Sequence, residues 1–164
     1  MLKSIFENGG GIMTIFAEKQ FQAEEAKLPE ILGWVEEVTM EYLSMDAALK
    51  MQLAAEEAIV NVCKYAYEGL GVEEKPLKIS LGEDGESVFL EMEDKGRPFN
   101  PLENISADPT LSFEEREEGG WGRTLILKMT SKAVYDYIKP RNILRLEEKN
   151  EAGQMPNFAD LLEE

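Results

Sequence analysis

The stretch from Leu53 to Tyr67, Leu-Ala-Ala-Glu-Glu-Ala-Ile-Val-Asn-Val-Cys-Lys-Tyr-Ala-Tyr, constrains this chain more than any other. It reads as one buried, alanine-rich helix, with Leu53, Ile59, Val60, Cys63 and Ala66 recurring at helical intervals. Glu57, Asn61 and Lys64 fall at i, i+4 and i+7 and so share one face. A carboxylate, an amide and an ammonium therefore stand in a row. Such a row beside apolar surface is either a satisfied polar seam in a core or one wall of a site for a charged ligand.

The rest of the chain supplies the elements that could cover this helix. Residues 12–23 suit a strand that starts apolar and then alternates, with Phe16 and Phe21 as core contacts. Lys27 to Ser44 carries Leu28, Ile31, Leu32, Val35 and Val38 at helical spacing, with Pro29 in its first turn. Asp46 is the expected N-cap of the following helix, which ends before Gly69-Leu70-Gly71. Pro76–Gly82 and Ser87–Glu93 alternate apolar and polar residues around Glu83-Asp84-Gly85-Glu86, the pattern of a β-hairpin. Residues 94–118 show no periodicity, and a loop of that length is usually functional or disordered. Gly119-Gly120-Trp121-Gly122 then opens a third helix, followed by strands over Lys132–Ile138 and Asn142–Leu146. The order β-α-α-β-β-loop-α-β-β implies an α/β sandwich of the α+β kind. A mixed, mostly antiparallel sheet would be covered on one face by three helices. Residues 1–12 are expected to be a flexible leader, 13–149 one domain, and 150–164 an acidic tail with a short amphipathic piece at Phe158, Leu161 and Leu162.

A chain of 164 residues has room for one domain with a sizeable core. Its 33 acidic against 17 basic residues give a formal net charge of −16, which repels phosphodiester backbones and anionic membranes. A phosphate ligand must then be held locally, by backbone amides, a few basic side chains or a divalent metal. The absence of histidine excludes Ser-His-Asp catalysis and histidine-ligated zinc hydrolysis and leaves Asp, Glu, Lys or Tyr as general base. The single cysteine, Cys63, cannot form an internal disulfide and fits a reducing compartment. No apolar run approaches the roughly 18 residues that span a bilayer, and the N-terminus lacks a secretory pattern. The expected location is the cytoplasm.

Three segments end near one another in such a sandwich: the helix stripe, the strand end at Asp94-Lys95-Gly96, and the glycine-rich start of the third helix. Glycines at a helix N-terminus suit phosphate, although they also serve as plain hinges. Asn61 offers a neutral oxygen to Mg²⁺, and Glu57 a base for a hydroxyl or a water. Asp94 alone reads first as an ordinary helix-cap or turn residue.

Taken together, Glu57-Ala-x-x-Asn61 with Lys64-Tyr-Ala-Tyr67, then Asp94-x-Gly96-x-Pro-Phe-Asn-Pro101, then Gly119-Gly120-x-Gly122 resemble the boxes of the GHKL, or Bergerat-fold, ATPases. Within that superfamily the chain looks like the anti-sigma regulatory factors that act as serine/threonine protein kinases, over roughly residues 14–149. The resemblance implies a Bergerat ATP-binding fold with ATP and Mg²⁺ as cofactors. Glu57 would be the catalytic base, Asn61 the Mg²⁺ ligand, and Lys64 a cation near the phosphates. Asp94 would accept a hydrogen bond from the adenine amino group, and Gly96 would permit close approach of the base. Gly119, Gly120 and Gly122 would form the hinge of an ATP lid, with Arg116, Arg123 and Thr124 near phosphate. Trp121 and Arg123 depart from the residues usual at those places. The implied function is phosphorylation of an anti-anti-sigma (STAS-type) antagonist and sequestration of a sigma factor by a homodimer. The alternative is a module that switches partners with ATP or ADP without phosphotransfer.

Overall fold

Alternating apolar residues build the sheet of this computed structural model, which describes residues 5–8, 11–103 and 123–150. Strands β1 (Ile5–Asn8) and β2 (Gly11–Gln22) are followed by helices α1 (Leu28–Tyr42) and α2 (Met45–Asn61). Then come β3 (Pro76–Asp84) and β4 (Ser87–Asp94), helical residues 123–129 (α3), and β5 (Lys132–Ile138) and β6 (Arg141–Lys149). The six strands lie in the order β1-β2-β3-β4-β6-β5. Every described pair is antiparallel, so the sheet expected to be mixed contains no parallel pairing among the described residues.

Period-two burial follows the sequence pattern. Leu77, Ile79 and Leu81 of β3 and Val88, Leu90 and Met92 of β4 are all at most 2% exposed. The β3–β4 connection is shorter than expected, because Asp84 pairs with Ser87 and only Gly85 and Glu86 lie between. Gly85 adopts a φ of 64°, which a glycine at the first position of a two-residue hairpin loop reaches without a Cβ penalty. At the other end of the sheet, Ile5–Asn8 of the expected leader pair with Ile12, Met13 and Thr14 and with Gly11. Gly9-Gly10 between the two strands is itself a hairpin pattern, where a flexible leader was expected over residues 1–12.

The helices cover one face. α1 buries Ile31, Val35, Val38 and Thr39, an i, i+4, i+7, i+8 stripe. Phe21 meets Trp34 edge-on at 5.5 Å, and Phe16, at a register shift of β2, stacks on Tyr42 at 5.1 Å. In α2 the buried face is Ala47, Ala48, Met51, Ala54, Ala55, Ala58 and Ile59. Leu53, Val60, Cys63 and Ala66, expected in the core, are only half-buried. α2 packs against both α1 and β6, and small side chains let the backbones approach there, while the larger residues lie toward the flanks.

Ser44, and not Asp46, caps α2. Its Oγ accepts a hydrogen bond from the Ala47 N–H at 3.2 Å, while Asp46 lies in the first turn and pairs with Lys50 at 3.0 Å. Asn150 ties the end of β6 to the same corner, its Oδ1 accepting from the Ser44 N–H at 2.7 Å. The tail 151–164 lies outside the described residues. Among the described residues no helix is long and apolar enough to cross a membrane.

Candidate functional site

The last turn of the α2 rod is not α-helical. Val62–Ala66 form a π turn, the wider i→i+5 geometry found as single turns within helices and often at functional sites. Its end is clamped to the sheet by Tyr67, whose hydroxyl donates to the Pro76 carbonyl at 2.5 Å and accepts from the Lys95 N–H at 2.8 Å. The Arg97 N–H donates to the Ala66 carbonyl at 2.8 Å. The chain leaving β4 therefore runs directly under the π turn.

Gly96 makes this approach possible. A Cβ at that position would lie 2.4 Å from the Ala66 oxygen and 2.6 Å from its Cβ, inside any tolerable contact. The close approach that Gly96 permits in the structure is thus to the protein's own backbone. It is not among the residues lining the adjoining cavity.

That cavity, of about 690 Å³, opens between α2, the π turn, the segment after β4 and the start of β6. It is of the size that holds a small organic ligand. Glu57, Asn61 and Lys64 line one side, Asp94 and Asn142 another, and Met92, Ile126 and Leu144 give apolar surface between them. Arg97, Phe99 and Arg123 also reach it. The structure therefore brings Glu57, Asn61, Lys64, Asp94 and Arg123 around one space. Thr124 is half-buried on α3 and outside the lining. Arg116, Gly119, Gly120 and Gly122 lie outside the described residues, as do residues 104–118 of the long loop expected over 94–118.

Each polar group is tuned by its surroundings. Burial pushes the Glu57 carboxyl above its ordinary value, Glu56 raises it further, and Lys64 lowers it. Asp94, 7% exposed, is likewise raised by burial, against the opposing hydrogen bonds from the Gly96 N–H and Asn142. Both of those bonds, at 2.8 and 3.0 Å, go to Oδ1. Among the described residues no hydrogen bond goes to Oδ2, which leaves that oxygen for a ligand. Arg123 donates Nε to the Leu102 carbonyl at 2.8 Å, which ties the start of α3 to the segment after β4.

Among the described residues no hydrogen-bond partner holds the Asn61 side chain, and it faces the cavity one turn from Glu57. Its amide oxygen is a hard donor that suits Mg²⁺, which takes few protein ligands and completes its shell with water and phosphate.

The reading of the sequence missed Asn142. It stands opposite Asp94 in the β4–β6 register and makes five hydrogen bonds there. The signal was present in the pattern Asn142-x-Leu144-x-Leu146, where an amide occupies the inward position of a strand that otherwise alternates cleanly.

Residues 21–147 match the family model described as a histidine kinase-like ATPase domain. No curated protein matches the chain.

Proposed function

From the premise that this chain belongs to the histidine kinase-like ATPase family, whose fold is an ATP-binding kinase-like ATPase, we propose that it is an anti-sigma regulatory factor with serine/threonine protein kinase activity. It would phosphorylate an anti-anti-sigma, STAS-type antagonist and sequester a sigma factor, acting as a homodimer in the cytoplasm. The observation that carries the reading is the single cavity joining the Glu57-Asn61-Lys64 stripe to Asp94 across an apolar surface. One end offers charge for phosphates and the other an acceptor for a base.

The roles follow from chemistry at each position. Met92, Ile126 and Leu144 supply an apolar surface for a purine, and Asp94 Oδ2 accepts from its amino group. Lys64 sets positive charge beside the phosphates, and Asn61 offers its oxygen to Mg²⁺. Bound there, Mg²⁺ would neutralise phosphate charge. Glu57, made more basic by burial, takes the proton of an incoming hydroxyl. Phosphoryl transfer asks mainly for such positioning and charge neutralisation.

One feature favours a second reading. Arg123 commits Nε to the Leu102 carbonyl, which restrains a guanidinium that transfer would recruit to the γ-phosphate. On that reading the protein is a nucleotide-binding module that switches partners with ATP or ADP and transfers nothing. Incubation with γ-labelled ATP, Mg²⁺ and candidate antagonist proteins separates the two. Label on the antagonist with wild type, and none with Glu57→Gln that still binds ATP, supports the kinase. Nucleotide binding without label on any antagonist supports the module.

A further inference from the structure

Asn142 is 6% exposed, and every polar atom of its side chain is engaged. Its Oδ1 accepts from the Phe99 N–H at 3.1 Å and from the Tyr135 hydroxyl at 2.5 Å. Its Nδ2 donates to Asp94 Oδ1 at 3.0 Å, to the Gly96 carbonyl at 3.3 Å and to the Arg97 carbonyl at 2.9 Å. The orientation of the amide is forced by its backbone partners. A backbone N–H can only donate, so an oxygen must face Phe99. Two carbonyls can only accept, so the nitrogen must face Gly96 and Arg97. The amide has no capacity left for a ligand, although it borders the cavity.

Its grip falls on Asp94. Two donors, the Gly96 N–H and Asn142 Nδ2, converge on Oδ1, and both require that oxygen to be an acceptor. Oδ2 is then left toward the cavity, in a carboxylate whose rotation is stopped by those two bonds. The two donors favour the ionised form of the carboxylate, and an ionised Oδ2 accepts a hydrogen bond and cannot give one. It matches an exocyclic amino group and opposes a carbonyl oxygen.

We propose that Asn142 is a positioning residue that sets base specificity in this cavity, holding Asp94 as a pure acceptor that selects a 6-amino purine over a 6-oxo purine. The inference rests on the reading of the cavity as a nucleotide site and goes beyond it by assigning the discrimination to a residue that does not touch the base. In Asn142→Asp an oxygen replaces the donor to Asp94 Oδ1, and the repulsion between the two carboxylates favours uptake of a proton by Asp94. The Gly96 N–H still donates to Oδ1, so that proton sits on Oδ2, where it can face a 6-oxo group. Tyr135→Phe leaves the ring and removes one donor to Asn142 Oδ1, so it loosens the same hold more gently.

The test is titration calorimetry of ATP, inosine triphosphate and purine riboside triphosphate, which differ at position 6, against wild type, Asn142→Asp and Tyr135→Phe. Wild type is expected to prefer ATP to inosine triphosphate by tenfold or more, since a buried acceptor facing a carbonyl is left unpaired. Asn142→Asp should cut that ratio by about tenfold. Tyr135→Phe should cut it in the same direction by a smaller factor, and it decides the matter if Asn142→Asp does not fold. Variants that are folded and bind all three nucleotides more weakly by one common factor overturn the inference and leave the nucleotide reading standing. A wild type that binds none of the three overturns both.

Discussion

Replacing Asp94 with asparagine separates what this carboxylate does for the ligand from what it does for the fold. The substitution keeps shape and keeps an oxygen at Oδ1, where the Gly96 N–H and Asn142 Nδ2 donate. A flipped amide would set its own N–H groups against those two donors, so the new nitrogen must take the Oδ2 place. A nucleotide then loses a hydrogen bond to a charged acceptor, worth about 1.5–3 kcal/mol, and meets a donor instead. At 1.4 kcal/mol per factor of ten, ATP affinity should fall by about 10- to 150-fold. The ligand-free protein should not lose stability. Burial raises the Asp94 pKa above its ordinary 3.8, so the ionised group costs the folded state something that an amide does not. A raised folded pKa means that the stability contributed by Asp94 is fully present below about 3.8 and is lost as pH rises through the folded value. The variant should therefore match or exceed wild type in melting temperature at neutral pH, and its advantage should shrink as pH falls toward 4. Calorimetric titration and melting curves across that range check both halves. Undiminished ATP binding, or a melting temperature well below wild type at neutral pH, refutes the reasoning.

Other perturbations probe the scaffold of the cavity. Gly96→Ala forces a Cβ to within 2.4 Å of the Ala66 oxygen, and overpacking of that kind costs about 1–3 kcal/mol, read as a lowered denaturation midpoint together with weakened ATP binding. Tyr67→Phe strips the hydroxyl that joins Pro76 to Lys95 and leaves their backbone groups unpaired, so a loss of about 1–3 kcal/mol is expected in urea unfolding. Burial, then Glu25, pushes the Cys63 thiol up to about 11, so native protein at neutral pH should react with iodoacetamide far more slowly than urea-unfolded protein.

Much of this architecture was legible because periodicity reports directly on burial. Leu77, Ile79 and Leu81, like Val88, Leu90 and Met92, announced two strands whose inner faces the structure buries completely. The polar stripe of α2 was legible for the same reason, since helical spacing alone puts Glu57, Asn61 and Lys64 on one face, and all three line one cavity. What escaped was decided by contacts between distant segments. Leu53 and Val60 outrank alanine in hydrophobicity, yet Ala54, Ala55 and Ala58 take the core because the helix is squeezed between α1 and β6. The choice of Ser44 over Asp46 as cap depends on where α1 stops, with Leu43 extended at a ψ of 160°. Asn142 acquires its role only through register, which sets it across from a residue 48 positions earlier. Gly96 looked like a concession to a ligand and is in the first place a concession to Ala66.

As proposed, the stripe of Glu57, Asn61 and Lys64 belongs with Asp94 to one ATP site. Amide chemical shifts of nitrogen-15-labelled protein, recorded as Mg·ATP is added, test it most directly. Saturable shifts should concentrate in residues 57–68, 94–99 and 142–144. Shifts confined to surfaces away from the cavity, or none at millimolar nucleotide, would contradict it.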